Sequence, residues 1–216
     1  MKLYDSLGPN PRVVRMFLLE KGLELPIEQV DIMGGENRKP AYLARNPMGQ
    51  LPALELDDGT SLCEITAICE YLDELQPDPP LIGATPEERA RTRMWVRRTD
   101  LNIVEPGTSG FRYGEGLAMF KERIRVIPQA ADDLKAIARE NLAKLDGWIA
   151  GSEFLAGDRF GLADILLYVF LDFGAGVGQP VDSGLSNLNA WMARVGARAS
   201  AEASLHPIAK AGGMRA

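Results

Sequence analysis

Five residues, Gln76-Pro77-Asp78-Pro79-Pro80, constrain this chain more than any others. Their three prolines lack amide donors and push the preceding residues away from helical conformation, so no regular element can run through them. The hydrophobic pattern also differs in kind on the two sides. Before the break, Lys2 to Asp5 alternates as a short strand. The cluster Val13, Val14, Met16, Phe17, Leu18 and Leu19 then reads as a half-buried helix closed by Lys21-Gly22. Pro26 to Ile32 predicts a second strand, and Gly34-Gly35 opens a polar stretch leading to a short helix near Ala41 to Arg45. Pro52 to Leu56, the turn Asp57-Asp58-Gly59 and the return Thr60 to Cys63 form a β-hairpin. Ile65, Ile68, Cys69 and Leu72 then recur at helical spacing up to Leu75, giving β-α-β-α-β-β-α.

After the break every signal is helical. Thr85-Pro86-Glu87-Glu88 combines a capping box with proline at the first helical position. Leu134, Ala138, Leu142, Leu145 and Trp148 mark a long amphipathic helix, and Phe160 to Phe173 is apolar on nearly all sides, as a helix inside a bundle is. A shorter helix is expected from Leu188 to Val195. Gly174-Ala175-Gly176-Val177-Gly178 follows a helix rather than a strand, so it reads as a terminator and not as a dinucleotide loop.

Composition narrows the functions. With 216 residues and 46% hydrophobic content, the chain can bury a sizeable core. A net charge of -6 repels a phosphate backbone, so nucleic acid is not an expected partner. The most apolar run, Leu162 to Phe173, contains Asp164 and Asp172 and is too short to cross a bilayer, so no membrane partner is expected. Met1-Lys2-Leu3-Tyr4-Asp5 followed by Pro9 and Pro11 does not read as a secretory signal, so a cytoplasmic location is expected. Cys63 and Cys69 match no metal or redox spacing and His206 is the only imidazole, so neither a metal site nor a histidine-based triad is expected.

The segment Asn46-Pro47-Met48-Gly49-Gln50-Leu51-Pro52-Ala53-Leu54, followed by Leu62-Cys63-Glu64-Ile65-Thr66-Ala67-Ile68 and Tyr71-Leu72, resembles the glutathione-binding half of the cytosolic glutathione transferases. Phe154 to Asp164 resembles that family's second hallmark, the start of the buried helix of its helical domain. With the opening strand and helix, the resemblance covers nearly the whole chain. It implies an α+β fold: a thioredoxin-like α/β domain over residues 1–76, a linker over 77–84 and an all-helical bundle over 85–216. It implies a homodimer that binds glutathione as co-substrate, with no further cofactor, and conjugates its thiolate to a hydrophobic electrophile, a detoxification chemistry. A glutathione-dependent disulfide or peroxide reductase and a non-catalytic dimeric scaffold are the alternatives.

Such chemistry turns on one anion. A free thiol of pKa about 8.5 is only a few per cent thiolate at neutral pH. Lowering that pKa by two units requires about 2.7 kcal/mol, and a hydrogen bond to a charged group contributes roughly 1.5–3 kcal/mol. One donor, helped by a helix N-terminus, is enough. The position that often carries the family's hydroxyl is Gly8 here. Gly8-Pro9-Asn10 resembles the Thr-Pro-Asn of one bacterial branch with the threonine lost, which leaves the Asn10 amide as a donor to the sulfur. Asn10 followed by Pro11 is equally a favourable N-cap and first-turn pair. Tyr4 and Ser6 are further catalytic candidates, read otherwise as a core aromatic and a turn residue.

For binding, the resemblance implies a cis peptide at Pro52, with the Leu51 backbone pairing with the cysteinyl part of glutathione like an added strand. Glu64 would take the γ-glutamyl ammonium at the start of the third helix. Ile65 stands where the family usually has serine or aspartate, a departure at the same end of the tripeptide. Asn37, Arg38 and Gln50 match positions that reach the glycyl carboxylate. In the helical domain, Gly161 replaces the usual cap and Asp164 keeps the acidic position as a structural residue. Arg89, Arg93 and Arg97 share one helix face, as a solvated stripe or a subunit contact. Trp95, Phe111, Tyr113 and Phe120 are candidates for an acceptor pocket, and Asp100 for a contact to the partner subunit's ligand.

Overall fold

The computed structural model describes residues 1–211 and 214–216. The chain forms two compact units, one made of Met1–Ile82 with Ala199–Ala216 and the other of Gly83–Arg198.

The first unit is built on a four-stranded sheet of order β2-β1-β3-β4, with β1 at Lys2–Asp5, β2 at Ile27–Gln29, β3 at Ala53–Glu55 and β4 at Ser61–Cys63. β1 runs parallel to β2, and β3 is antiparallel to both β1 and β4. Between β1 and β2 lies helix α1, Pro9–Lys21, which ends where Gly22 adopts a left-handed conformation and returns its amide to Leu18 and Leu19. Helix α2 is a single turn, Pro40–Leu43, and α3 spans Ile65–Leu75. Leu3 pairs with Leu54 across the sheet and both are fully buried, as are Val13, Phe17 and Ile68 of the helices. The pleat sends the next residues to the opposite face, where Tyr4 and Ala53 cluster with Val30, Tyr42 and Leu51.

The prolyl break does more than end α3. Lys21 and Asp73 form a buried ion pair at 2.8 Å, Lys21 Nζ also donates to the Pro79 carbonyl at 2.6 Å, and the Leu81 amide donates to Asp73 at 3.1 Å. Three hydrogen bonds around one carboxylate–ammonium pair tie α1, α3 and the linker together.

The second unit is helical. It contains α4 at Pro86–Thr99, a π-helical stretch at Asp100–Val104, α5 at Glu105–Tyr113, α6 at Leu117–Phe120, α7 at Ala131–Trp148, α8 at Leu162–Gly176 and α9 at Ser186–Gly196. Thr85 caps α4 as the sequence predicts, its hydroxyl accepting from the Glu88 amide while Glu88 accepts from the Thr85 amide. Helix α8 is buried from Leu162 to Phe173. Gly174 and Gly176 lie inside its last turn, and the chain leaves the helix at Val177. Asp164 stands fully buried at the first turn of α8 and accepts from the Leu155 amide at 2.9 Å, the Gly161 amide at 3.1 Å and Trp191 Nε1 at 2.8 Å. Burial pushes its carboxyl up to about 6, against the pull of these three donors. Arg89 donates to the Gly83 carbonyl at 2.9 Å, while Arg93 and Arg97 are exposed.

The last two helices, α10 at Ala199–Ala203 and α11 at Pro207–Ala211, belong to the first unit. Reading the chain in linear order does not anticipate this, because the tail carries helical signals like the residues before it. Among the described residues, no helix is long and apolar enough to cross a membrane.

Candidate functional site

Sheet register assembles the site. Tyr4 of β1 lies opposite Ala53 of β3, and Ala53 lies opposite Cys63 of β4. One step beyond this row, at one end of the sheet, are the β1–α1 loop that starts at Ser6, the Leu51-Pro52 segment entering β3, and Glu64 entering α3. Three segments from distant parts of the sequence thus share one edge.

The β1–α1 loop departs from the sequence expectation in its helix start. Helix α1 begins at Pro9, so its N-cap is Gly8 and not Asn10. Gly8 has φ of 135°, which side chains rarely tolerate, and this explains a glycine where a hydroxyl residue was sought. Asn10 occupies the first turn instead, half-buried. Pro9 and Pro11 have no N–H, so Asn10 alone among the first three helical residues carries a backbone donor, and its side-chain amide adds more. The other two catalytic candidates have their hydroxyls committed. Ser6 is buried and donates to the Val30 carbonyl at 2.6 Å. Tyr4 donates to Glu55 at 3.0 Å, with its ring edge-on to Tyr42 and the Arg45 guanidinium 4.7 Å from its centroid. Tyr4 is thus a core aromatic and Ser6 a loop anchor.

The Leu51–Pro52 peptide is cis. The segment before it is held from three sides: Asn37 Nδ2 donates to the Gly49 carbonyl at 2.6 Å, while Tyr42 Oη and Asn46 Nδ2 donate to the Gln50 carbonyl at 2.7 and 2.9 Å. Gly49 adopts φ of 62°, and a Cβ there would meet the Asn37 carbonyl oxygen at 3.0 Å. Leu51 and Pro52 are buried, whereas Gln50 and Arg38 are exposed. Asn37 is only 4% exposed, so it props the loop from beneath.

Glu64 is the single non-glycine residue with positive φ among the described residues, at φ 70° and ψ 122°. That conformation costs roughly 1–3 kcal/mol and is retained where the surroundings over-determine it. It turns the exposed Glu64 side chain out at the head of α3, whose first amides no side chain caps. Ile65 follows, half-buried. Neighbouring Cys63 is partly buried, and burial together with the Glu64 charge raises its thiol pKa.

Sequence reasoning missed a group behind this edge. Arg12 and Arg15 lie inside the otherwise apolar face of α1, and Asp5 ends β1 with 1% exposure. Charges interrupting an apolar helical run, a strand-terminal aspartate and the lone histidine were the available signals.

The helical unit contains a partly open cavity of about 240 Å³, bordered by the π-helical stretch, α5, α7 and α8. Ile103, Val104, Leu142 and Phe170 line it together with the Lys135–Glu115 ion pair, Arg139 and Gln179, and Phe111 stands edge-on to Phe173 at 5.2 Å. Of the aromatic acceptor candidates, Phe111 lines this cavity and Phe120 packs against Phe111 at 6.0 Å. Trp95 instead packs with Trp148 and Arg98, and Tyr113 and Asp100 are not part of the lining.

Comparison with known proteins agrees with this architecture. The glutathione S-transferase N-terminal domain model matches residues 3–80 and the C-terminal domain model residues 117–199. Glutathione S-transferase 2 of Saccharomyces cerevisiae is 33% identical over 208 residues, 93% of this chain and 87% of the relative. Maleylacetoacetate isomerase of Pseudomonas aeruginosa is 34% identical over 170 residues, 77% of this chain and 78% of the relative. Among solved structures, a glutathione S-transferase domain-containing protein of Marinobacter aquaeolei superimposes with a TM-score of 0.85 at 39% identity, covering 93% of this chain and 99% of that one. Both domain models in order, on this sheet and this bundle, show that the chain belongs to the glutathione S-transferase family.

Proposed function

We propose that this chain is a glutathione transferase that binds reduced glutathione along the sheet edge and ionises its thiol at the first turn of α1. The observation that carries the reading is the register row Tyr4–Ala53–Cys63, which brings the end of β1, the Leu51-Pro52 segment and Glu64 to one end of the sheet. The Leu51 backbone pairs with the cysteinyl part of the tripeptide as an added strand. Glu64 receives the γ-glutamyl ammonium, the uncapped amides of α3 receive its carboxylate, and exposed Gln50 and Arg38 take the glycyl carboxylate. Ile65 offers a methylene surface rather than a hydroxyl, so affinity rests on Glu64 and the backbone.

The thiol loses its proton to solvent, and the thiolate accepts hydrogen bonds from the backbone and side-chain amides of Asn10. The positive end of α1 adds about 0.3–1 kcal/mol. The thiolate then attacks an electrophilic carbon, and the C–S bond forms as the leaving group departs with its electron pair. The electrophile in this reading is a hydrophobic small molecule. A cytoplasmic homodimer is part of the same proposal, drawn from the family.

Conjugation assays with aryl halides and reduced glutathione test the reading. Product formation with a thioether mass supports it. Turnover of mixed disulfides or peroxides without conjugation points to the reductase alternative, and no turnover with intact folding points to the scaffold.

A further inference from the structure

Residues 199–211 and 214–216 are tied to the β1–α1 edge by a continuous run of buried and part-buried polar contacts. Arg12, fully buried in α1, donates through Nε to Ser204 Oγ at 3.2 Å, through Nη2 to the Ala201 carbonyl at 2.8 Å and through Nη1 to the Arg215 carbonyl at 3.1 Å. Arg15, one turn along, donates through Nε to the Ser204 carbonyl at 2.8 Å and through Nη1 to Asp5 Oδ1 at 2.6 Å and the Ser6 carbonyl at 3.0 Å. The other Asp5 oxygen accepts from Gln29 Nε2 at 2.9 Å, and Gln29 Oε1 lies 3.0 Å from His206 Nε2. The Ile208 amide donates to His206 Nδ1 at 3.3 Å, which fixes the proton on Nε2 and makes the imidazole the donor to Gln29. The His206 amide in turn donates to the carbonyl of Ala216 at 2.8 Å. Tail and loop are thus connected twice, by Ser204–Arg15–Asp5/Ser6 and by His206–Gln29–Asp5.

We infer that Arg15 is a positioning residue for the β1–α1 loop, and that the C-terminal segment sets that loop's geometry through it. The inference rests on the glutathione reading only in what the loop is held for. Residues 6–8 connect a strand to the helix that Pro9 and Asn10 open, and they include Gly8, so their own backbone restrains them weakly. Their entry is pinned at Asp5 and Ser6, just past β2 by the Val30 amide and carbonyl and from α1 by Arg15. Arg15 would be a long, mobile side chain without Ser204, because the guanidinium must be held at one end to fix a carboxylate and a carbonyl at the other. Asn10 can lower a thiol pKa only if its amides stay within hydrogen-bond distance of one point. Loosening the loop therefore affects ionisation before it affects binding, because the contacts of Leu51 and Glu64 do not run through Arg15.

Three variants of the full chain test this: Arg15→Lys, which keeps the charge and loses the fork; Gln29→Met, which cuts the second connection; and Ser200→Ala, which removes a tail contact to Glu20 that does not reach the loop. Two readouts are taken, amide hydrogen exchange of the segment 5–12 and the pH at which the thiol of bound glutathione ionises, alongside kcat and KM. Expected for Arg15→Lys and Gln29→Met are exchange at least fivefold faster in that segment, kcat down about tenfold with KM for glutathione within twofold, and ionisation displaced upward by about one pH unit. Ser200→Ala is expected to change neither exchange in that segment nor ionisation. Unchanged exchange and ionisation in the first two variants overturn the inference, as does an equal change in Ser200→Ala. If the wild-type protein gives no thiolate signal, the glutathione reading fails, and exchange in the segment 5–12 alone decides the positioning role.

Discussion

Asn37 Nδ2 donates to the carbonyl oxygen of Gly49 across 2.6 Å, so a buried amide just ahead of α2 fixes the loop that leads to the cis peptide at Pro52. Losing that bond leaves the Gly49 carbonyl without its partner, at a cost of about 1–3 kcal/mol. Asn37→Ala should lower stability by that amount in urea titration. It should also raise KM for glutathione several-fold with kcat nearly unchanged, because the binding loop loosens while the first turn of α1 does not.

Glu64 holds a positive φ that glycine adopts without strain. Glu64→Gly should therefore stabilise the fold by about 1 kcal/mol after the entropic cost of glycine, a rise in Tm of roughly 2–4 °C. The same variant should weaken glutathione binding at least tenfold in calorimetry. Opposite signs for stability and affinity distinguish a strained binding residue from a merely tolerated one.

Gly107 faces the cavity of the helical unit, where an added Cβ meets nothing nearer than Ala138 Cβ at 3.7 Å. Gly107→Ala should place a methyl in ordinary contact with Ala138 and raise stability by about 0.4–1 kcal/mol, because alanine loses less backbone freedom on folding than glycine. The urea midpoint reads this directly.

Burial and the neighbouring Arg15 charge lower the pKa of His206, with Asp5 opposing. A histidine whose folded pKa is depressed supports stability fully above its ordinary value near 6.5, and loses that support as pH falls through the folded value. Asp164, pushed up to about 6, runs in the opposite direction, so total stability hides the effect. The difference in urea midpoint between wild type and His206→Gln isolates it. That difference should shrink as pH falls from 7 to 5, at constant ionic strength.

Much of this architecture is legible in the sequence because it depends on local signals. The prolyl break, the Asp58-Gly59 hairpin, the Thr85 cap and the all-round apolarity of α8 each dictate structure over a few residues. The helix start at Pro9 was missed because Asn10-Pro11 and Gly8-Pro9 both satisfy the preference for proline in the first turn, and only the backbone angle at Gly8 decides between them. The roles of Ser6 and Tyr4 depend on Val30 and Glu55, partners that periodicity does not reveal. The buried network of Arg12 and Arg15 closes across nearly the full length of the chain, from α1 to Ser204 and Arg215, and no window of sequence contains both ends.

The proposed role of Asn10, at the opening of α1, is to keep bound glutathione ionised. Ultraviolet thiolate absorbance, followed against pH in protein saturated with reduced glutathione, measures it. Half-ionisation is expected below pH 7 in the wild type, about two units under the free thiol, with a rise of at least one unit in Asn10→Ala. Saturation without a thiolate band, or identical titrations in the two proteins, would contradict it.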